Sequence, residues 1–137
     1  MDQPLNIVLF SGTDDRLQAA AVLTAGAAAL GRPVNIFLQY WALAAFRAGD
    51  ADAEHPLAPE AGAEGLRAVR ALAAAGQASW AETLRQAKDI GPVDIEACSL
   101  SMDLLGLEPS QLDPLVDGVE GVTAFYLNAG EGQIVFI

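Results

Sequence analysis

The chain has 137 residues, 53% hydrophobic and 18% charged, which is long enough for one domain with its own core and too apolar for disorder. Eighteen acidic against seven basic side chains give a formal net charge of −11, which argues against nucleic acid and anionic membrane surfaces as partners. A single cysteine excludes an internal disulfide and any CxxC motif, and suits a reducing compartment.

The opening MDQPLNIVLF has no basic region and does not read as a secretory signal. The longest apolar stretch, residues 17–30, is broken by Gln18, Thr24 and Gly26 and is too short to cross a bilayer. A cytoplasmic protein is expected.

Residues 5–10, LNIVLF, predict a buried strand, followed by a turn in SGTDD and a helix capped by Thr13 or Asp14. That helix runs to Gly31, a natural glycine stop, and Pro33 forbids its continuation. VNIFLQ is a second buried strand, so the first 39 residues form a βαβ unit with parallel strands. YWALAAFRAG is a short apolar helix closed by Gly49, and the acidic, proline-containing residues 50–65 form an exposed loop.

LRAVRALAAAG and SWAETLRQAKDIG predict two more helices, the second opened by a capping box of Ser79 and Glu82 and stopped by Gly91 and Pro92. VDIEA is a third strand, delivering the chain to Cys98. SMDLLG gives one or two helical turns ending at Gly106, EPSQLDPLVDGVEG is turn-rich, and QIVFI is a closing strand. On propensity alone VTAFYL would be a strand as well. Alternating strands and helices imply one α/β domain over residues 1–137, an open parallel sheet with helices on both faces.

Cys98 is the focus for chemistry. Ligands of open parallel sheets bind outside the carboxyl ends of the strands, where Cys98 stands, with Ser99 or Ser101 as cap of the next helix. First-turn N–H groups favour negative charge there, whereas Asp94, Glu96 and Asp103 oppose it. Period-2 alternation puts Asp94, Glu96 and Cys98 on one face, so Glu96 is a candidate proton donor or acceptor. Two acids on that face mean that it is open, part of a cleft, or turned toward another subunit. The alternative is a buried cysteine acting as a small hydrophobe.

Other candidates share the rim. Ser11 and Gly12 could offer amides to an anion, and Tyr40 and Trp41 could wall a pocket or an interface. His55, the only histidine, reads as a solvated loop residue. No phosphate loop, hydrolase triad or convergent metal-ligand set is present in the sequence, so neither metal nor cofactor is expected.

The segment ACSLSMDLLGL resembles a signature of the DsrE/DsrF-like family, in the branch often labelled peroxiredoxin-like. The similarity extends to LVDGVEGVTAFYL, QIVFI and TAGAAALGRPVNIFLQYWAL, leaving out residues 48–78. The resemblance implies a three-layer α/β/α sandwich on an open parallel sheet of four to five strands, assembled as a homo-oligomer, trimer or hexamer. It implies a helix over Gly121–Ala129, against the propensity of VTAFYL. It further implies a sulfur relay or sulfurtransferase role in which Cys98 holds sulfane sulfur as a persulfide, amides around Ser99, Ser101 and Met102 cradle the terminal sulfur, and a small sulfur-carrier protein is the partner. Leu100 stands where the signature has methionine, and the second cysteine of some relatives is missing. A non-catalytic oligomeric binding module is the alternative; peroxide reduction is a third reading.

Overall fold

The computed structural model describes residues 3–137. In chain order the elements are β1 (Leu5–Leu9), α1 (Asp14–Ala29), β2 (Val34–Leu38), α2 (Tyr40–Ala45), α3 (Gly62–Ala74), α4 (Trp80–Ile90), β3 (Val93–Cys98), α5 (Ser99–Leu105), β4 (Gly118–Glu120), α6 (Val122–Ala129) and β5 (Ile134–Phe136). Short 3₁₀ turns lie at Pro59–Ala61 and Pro109–Gln111. The five strands form one sheet in the order β4-β3-β2-β1-β5, and every pairing is parallel.

Register assigns each side chain to a face. Ile7 pairs with Ile36 and Ile36 with Ile95, so Leu5, Ile7, Leu9, Val34, Ile36, Leu38, Ile95 and Ala97 share one face. That face is buried under α1 and α4, with Leu17, Ala20, Ala21, Trp80 and Leu84 in the same core cluster. Alanines on α1 let the helix lie close to the sheet. α1 ends as the sequence predicts: Gly31 takes φ +74, its N–H donates to Ala28 O and the Arg32 N–H to Ala27 O, satisfying the last carbonyls.

The opposite face carries Asn6, Val8, Asn35, Phe37, Asp94, Glu96, Cys98, Ile134 and Phe136. Among the described residues α6 is the helix that lies on it, through Phe125 and Ala129. This corrects the propensity reading of VTAFYL and agrees with the helix the family resemblance implies. Phe125 and Ala129, four apart, turn inward together, whereas Val122, Tyr126 and Leu127 face outward.

A buried asparagine ties α6 down. Asn6 is fully enclosed; its Nδ2 donates to Ala129 O and Gln133 O, and its Oδ1 accepts from Asn35 Nδ2 at 3.0 Å. Asn35 Nδ2 also donates to Asn128 O.

Other departures from the expected elements are local. α3 starts at Gly62 rather than Leu66 and buries no side chain. β4, three residues long, arises within the turn-rich segment because Asp117 bonds the edge of β3 twice, N–H to Ile95 O and Oδ2 from Ile95 N–H. Ser79 caps α4 by accepting from the Glu82 N–H at 3.2 Å. His55 is not a solvated loop residue: its Nε2 lies 2.7 Å from Asp50 O and its ring packs 5.8 Å from Trp80. Among the described residues no helix is long and apolar enough to cross a membrane.

Candidate functional site

β3 runs directly into α5 with no loop between, so Cys98 is both the last residue of the strand and the N-cap of the helix. Ser99 and Ser101 therefore are not caps, contrary to expectation. Ser99 opens the helix and is exposed, while Ser101 is buried and accepts the Tyr40 N–H on its Oγ at 3.0 Å. Met102 points the other way, into the main core. Of the residues expected around the terminal sulfur, Ser99 is thus the open one.

Cys98 is 5% exposed and packs in a small apolar cluster with Phe37 and Phe125, flanked by Val8. The two phenyl rings stack at 4.9 Å, 16° from parallel. Phe125 comes from α6, so the helix that the strand propensity concealed supplies one wall around the cysteine.

Beside this apolar cluster lies a patch of carboxyls. Asp94 and Glu96 precede Cys98 on its face, and Glu120 is its register partner on β4. Burial, then the negative charges of Asp94, Glu120 and Asp117, push Glu96 up to about 7. Asp94 and Glu120 are raised too, chiefly by burial. Glu96 Oε2 is shut off from solvent with no hydrogen-bond partner among the described residues. The Glu96 carboxyl lies over Gly118: a Cβ there would stand 2.6 Å from Oε2, so glycine leaves the room it occupies. Lys88 is the near cation, and its ammonium is engaged by Asp117 and by Val93 O. Chemically, the patch holds a carboxyl that keeps its proton well above the usual carboxylate range, two residues from the only thiol.

The rest of the expected rim separates from Cys98. Ser11, Gly12 and Trp41 line a cavity with α2 and residues 50–56, and Cys98 is not in its wall. The Ser11 N–H donates to Ile137 O, so it is not free for a ligand. Tyr40 lies between the two regions: its ring is 4.9 Å from Phe10 and its N–H reaches α5 through Ser101. Missed at the level of sequence were Phe37, Phe125 and Gly118. For Phe125, the four-residue spacing to Ala129 was the available signal.

The family model for the DsrE/DsrF/DrsH-like family matches residues 1–71, a stretch that ends before Cys98. The chain is 29% identical to the uncharacterized protein YrkE of Bacillus subtilis (strain 168), over 93% of this chain and 92% of that one. Two solved structures share the fold. MTH1491 of Methanobacterium thermoautotrophicum, a protein of unknown function, superposes with a TM-score of 0.58 at 14% identity, covering 99% of this chain and 100% of its own. The ychN protein of E. coli gives 0.59 at 15% identity, covering 100% of each chain. With its α/β architecture on a five-stranded parallel sheet and a match over more than half its length, the chain belongs to the DsrE/DsrF/DrsH-like family.

Proposed function

We propose that this protein is a cysteine-based sulfur carrier, holding sulfane sulfur as a persulfide on Cys98 and passing it to a partner protein. The observation that carries the reading is the pairing of the chain's only thiol, at the carboxyl end of β3, with a carboxyl held near pH 7 on the same face. The Cys98 thiolate attacks the outer sulfur of a donor R–S–S⁻; a new S–S bond forms as the old one breaks, giving Cys98–S–S⁻ and R–S⁻. Protonated Glu96 is the group suited to give its proton to the departing R–S⁻. Membership of a DsrE-like family favours sulfur relay as the chemical class.

The reading includes self-association and a cytoplasmic setting. Ile134 and Phe136 of β5, on the cysteine's own face of the sheet, and Tyr126 and Leu127 on α6 are exposed apolar side chains, Leu127 being 79% exposed. A lone unpaired thiol persists best in a reducing compartment.

Burial of Cys98 against the stacked pair Phe37 and Phe125 favours a second reading, a binding module whose cysteine fills space. Intact-protein mass spectrometry after brief exposure to polysulfide separates the two. The carrier gains whole sulfur atoms, loses them to reductant, and gains none as Cys98→Ser. A protein that gains none, and whose thiol resists maleimide until denatured, is the binding module.

A further inference from the structure

The rim holds a concavity that does not involve the thiol. A cavity of about 630 Å³ opens between the β1–α1 turn, α2 and residues 50–56, and no residue of β3 or α5 lines it. Its volume falls within the ~300–1,000 Å³ of small-molecule clefts. We infer that it binds a small aromatic carboxylate, with the ring against Trp41 and Phe10 and the carboxylate on the Arg47 guanidinium.

Arg47 is presented in a way that suits an anion. Its backbone is fixed by an antiparallel bridge to Leu112, and its neighbours are fixed by Ala48 N–H to Gln111 O and Asp113 N–H to Phe46 O, both 2.8 Å. Its side chain uses only Nε, donating to Asp50 Oδ2 at 2.9 Å and Ala44 O at 3.1 Å. Both terminal amino groups lack an acceptor among the described residues, leaving the fork that recognises a carboxylate free. Arg16, on the same cavity, bonds Glu60 through one amino group and is otherwise open. The two carboxylates in the wall are already engaged, Asp50 by Arg47 and Glu54 by Arg70. The lining as a whole carries two arginines against two carboxylates, so the recognition rests on the free amino groups of Arg47 rather than on a net positive field.

The apolar half is built as well. Trp41 stands 54% exposed on the wall. Gly12 lets the β1–α1 turn close on α2, since a Cβ would lie 2.5 Å from Trp41 O. Tyr40, just before, takes φ +45, the only positive φ outside glycine among the described residues, and the Ser101 hydroxyl holds its N–H. Such strain in an ordered turn fixes the direction in which the chain enters α2.

Calorimetric titration of the full chain with 2-naphthoate, 2-naphthamide and 2-naphthylmethylammonium tests this. The naphthoate is expected to saturate one site per chain and to bind about tenfold tighter than either isostere, the difference that a charge-assisted hydrogen-bonded pair makes. Arg47→Gln and Trp41→Ala each lower its affinity about tenfold, whereas Cys98→Ser leaves it unchanged. Arg16→Gln, whose ion pair is on the surface, keeps the fold and gives a smaller loss. Equal binding of the three probes, unchanged affinity in both arginine variants, or no binding at millimolar naphthoate overturns the inference. Loss of binding in Cys98→Ser would place the ligand at the thiol and overturn it too. The sulfur-carrier reading stands or falls separately, since naphthoate brings no sulfur.

Discussion

The ring of Phe125 lies face to face with that of Phe37, 4.9 Å between centroids, and Cys98 packs in the cluster they form. One side chain of a short helix is thus part of what buries the thiol. Phe125→Leu and Phe125→Ala should raise the rate of maleimide labelling of Cys98 in that order, by about tenfold or more for alanine. The alanine variant also loses about 3 kcal/mol of stability, so the leucine variant, milder in that respect, separates local opening from unfolding. Equal rates in all three proteins would mean that α6 does not gate the cysteine.

Glu96 makes stability depend on pH in a fixed direction. Its proton is held to about 7 in the fold and released near the ordinary 4.5 once unfolded. Between these values the folded chain binds more protons, so stability falls as pH rises through the window and levels off above it. Urea midpoints at pH 5 and pH 8 should differ in the wild type and converge in Glu96→Gln. At pH 8 the glutamine variant is expected to be the more stable by about 1 kcal/mol, a modest figure because the carboxyl is partly open to water. A small residual slope from Asp94 and Glu120 remains, both being raised by burial.

Gly118 and Glu96 should prove coupled. Gly118→Ala sets a methyl group 2.6 Å from Oε2 and forces the carboxyl out of its place. A cost of about 1 kcal/mol is expected with Glu96 present and close to none in Glu96→Ala, read as a double-mutant cycle by denaturant unfolding. Additive effects would mean that the glycine serves the backbone of β4 instead.

Asn6 is the strongest structural test. Asn6→Asp keeps the shape but cannot donate to Ala129 O or Gln133 O, and it buries a charge. A loss of about 3 kcal/mol or more is expected. Amide exchange should speed up first in residues 122–129; uniform acceleration across the sheet would contradict the role of Asn6 as a fastening for α6.

Of those four sites only Glu96 was legible in the sequence, whereas the strands that carry Glu96 and Asn6 were plain. LNIVLF, VNIFLQ and VDIEA state their positions plainly because both hydrophobic content and flanking glycine or proline agree, and the cap of α4 follows from the Ser79 and Glu82 pair, of which Ser79 makes the capping bond. VTAFYL misleads because its β-branched and aromatic residues favour a strand locally, while the anchoring of Phe125 and Ala129 on the sheet decides for a helix. β4 has only three residues, and what makes it a strand is Asp117 bonding to Ile95, 22 positions away. The burial of Asn6 is invisible for a similar reason: its partners, Ala129 and Gln133, lie more than a hundred positions on. The thiol's place at the end of β3 was legible; its enclosure was not, since it depends on the same late helix.

β5 lies against β1 from the far end of the chain, with Ile137 N–H donating to Val8 O and Phe10 N–H to Ile137 O. The stretch 122–137 thus supplies both the wall around Cys98 and the outer edge of the sheet. While a ribosome is making this protein, β1 waits with one bare edge and the sulfur atom waits with one bare side. Both are covered by residues that follow Cys98 in the chain, so until α6 and β5 have been made and folded back the thiol stands more open to small oxidants and donors than in the folded protein.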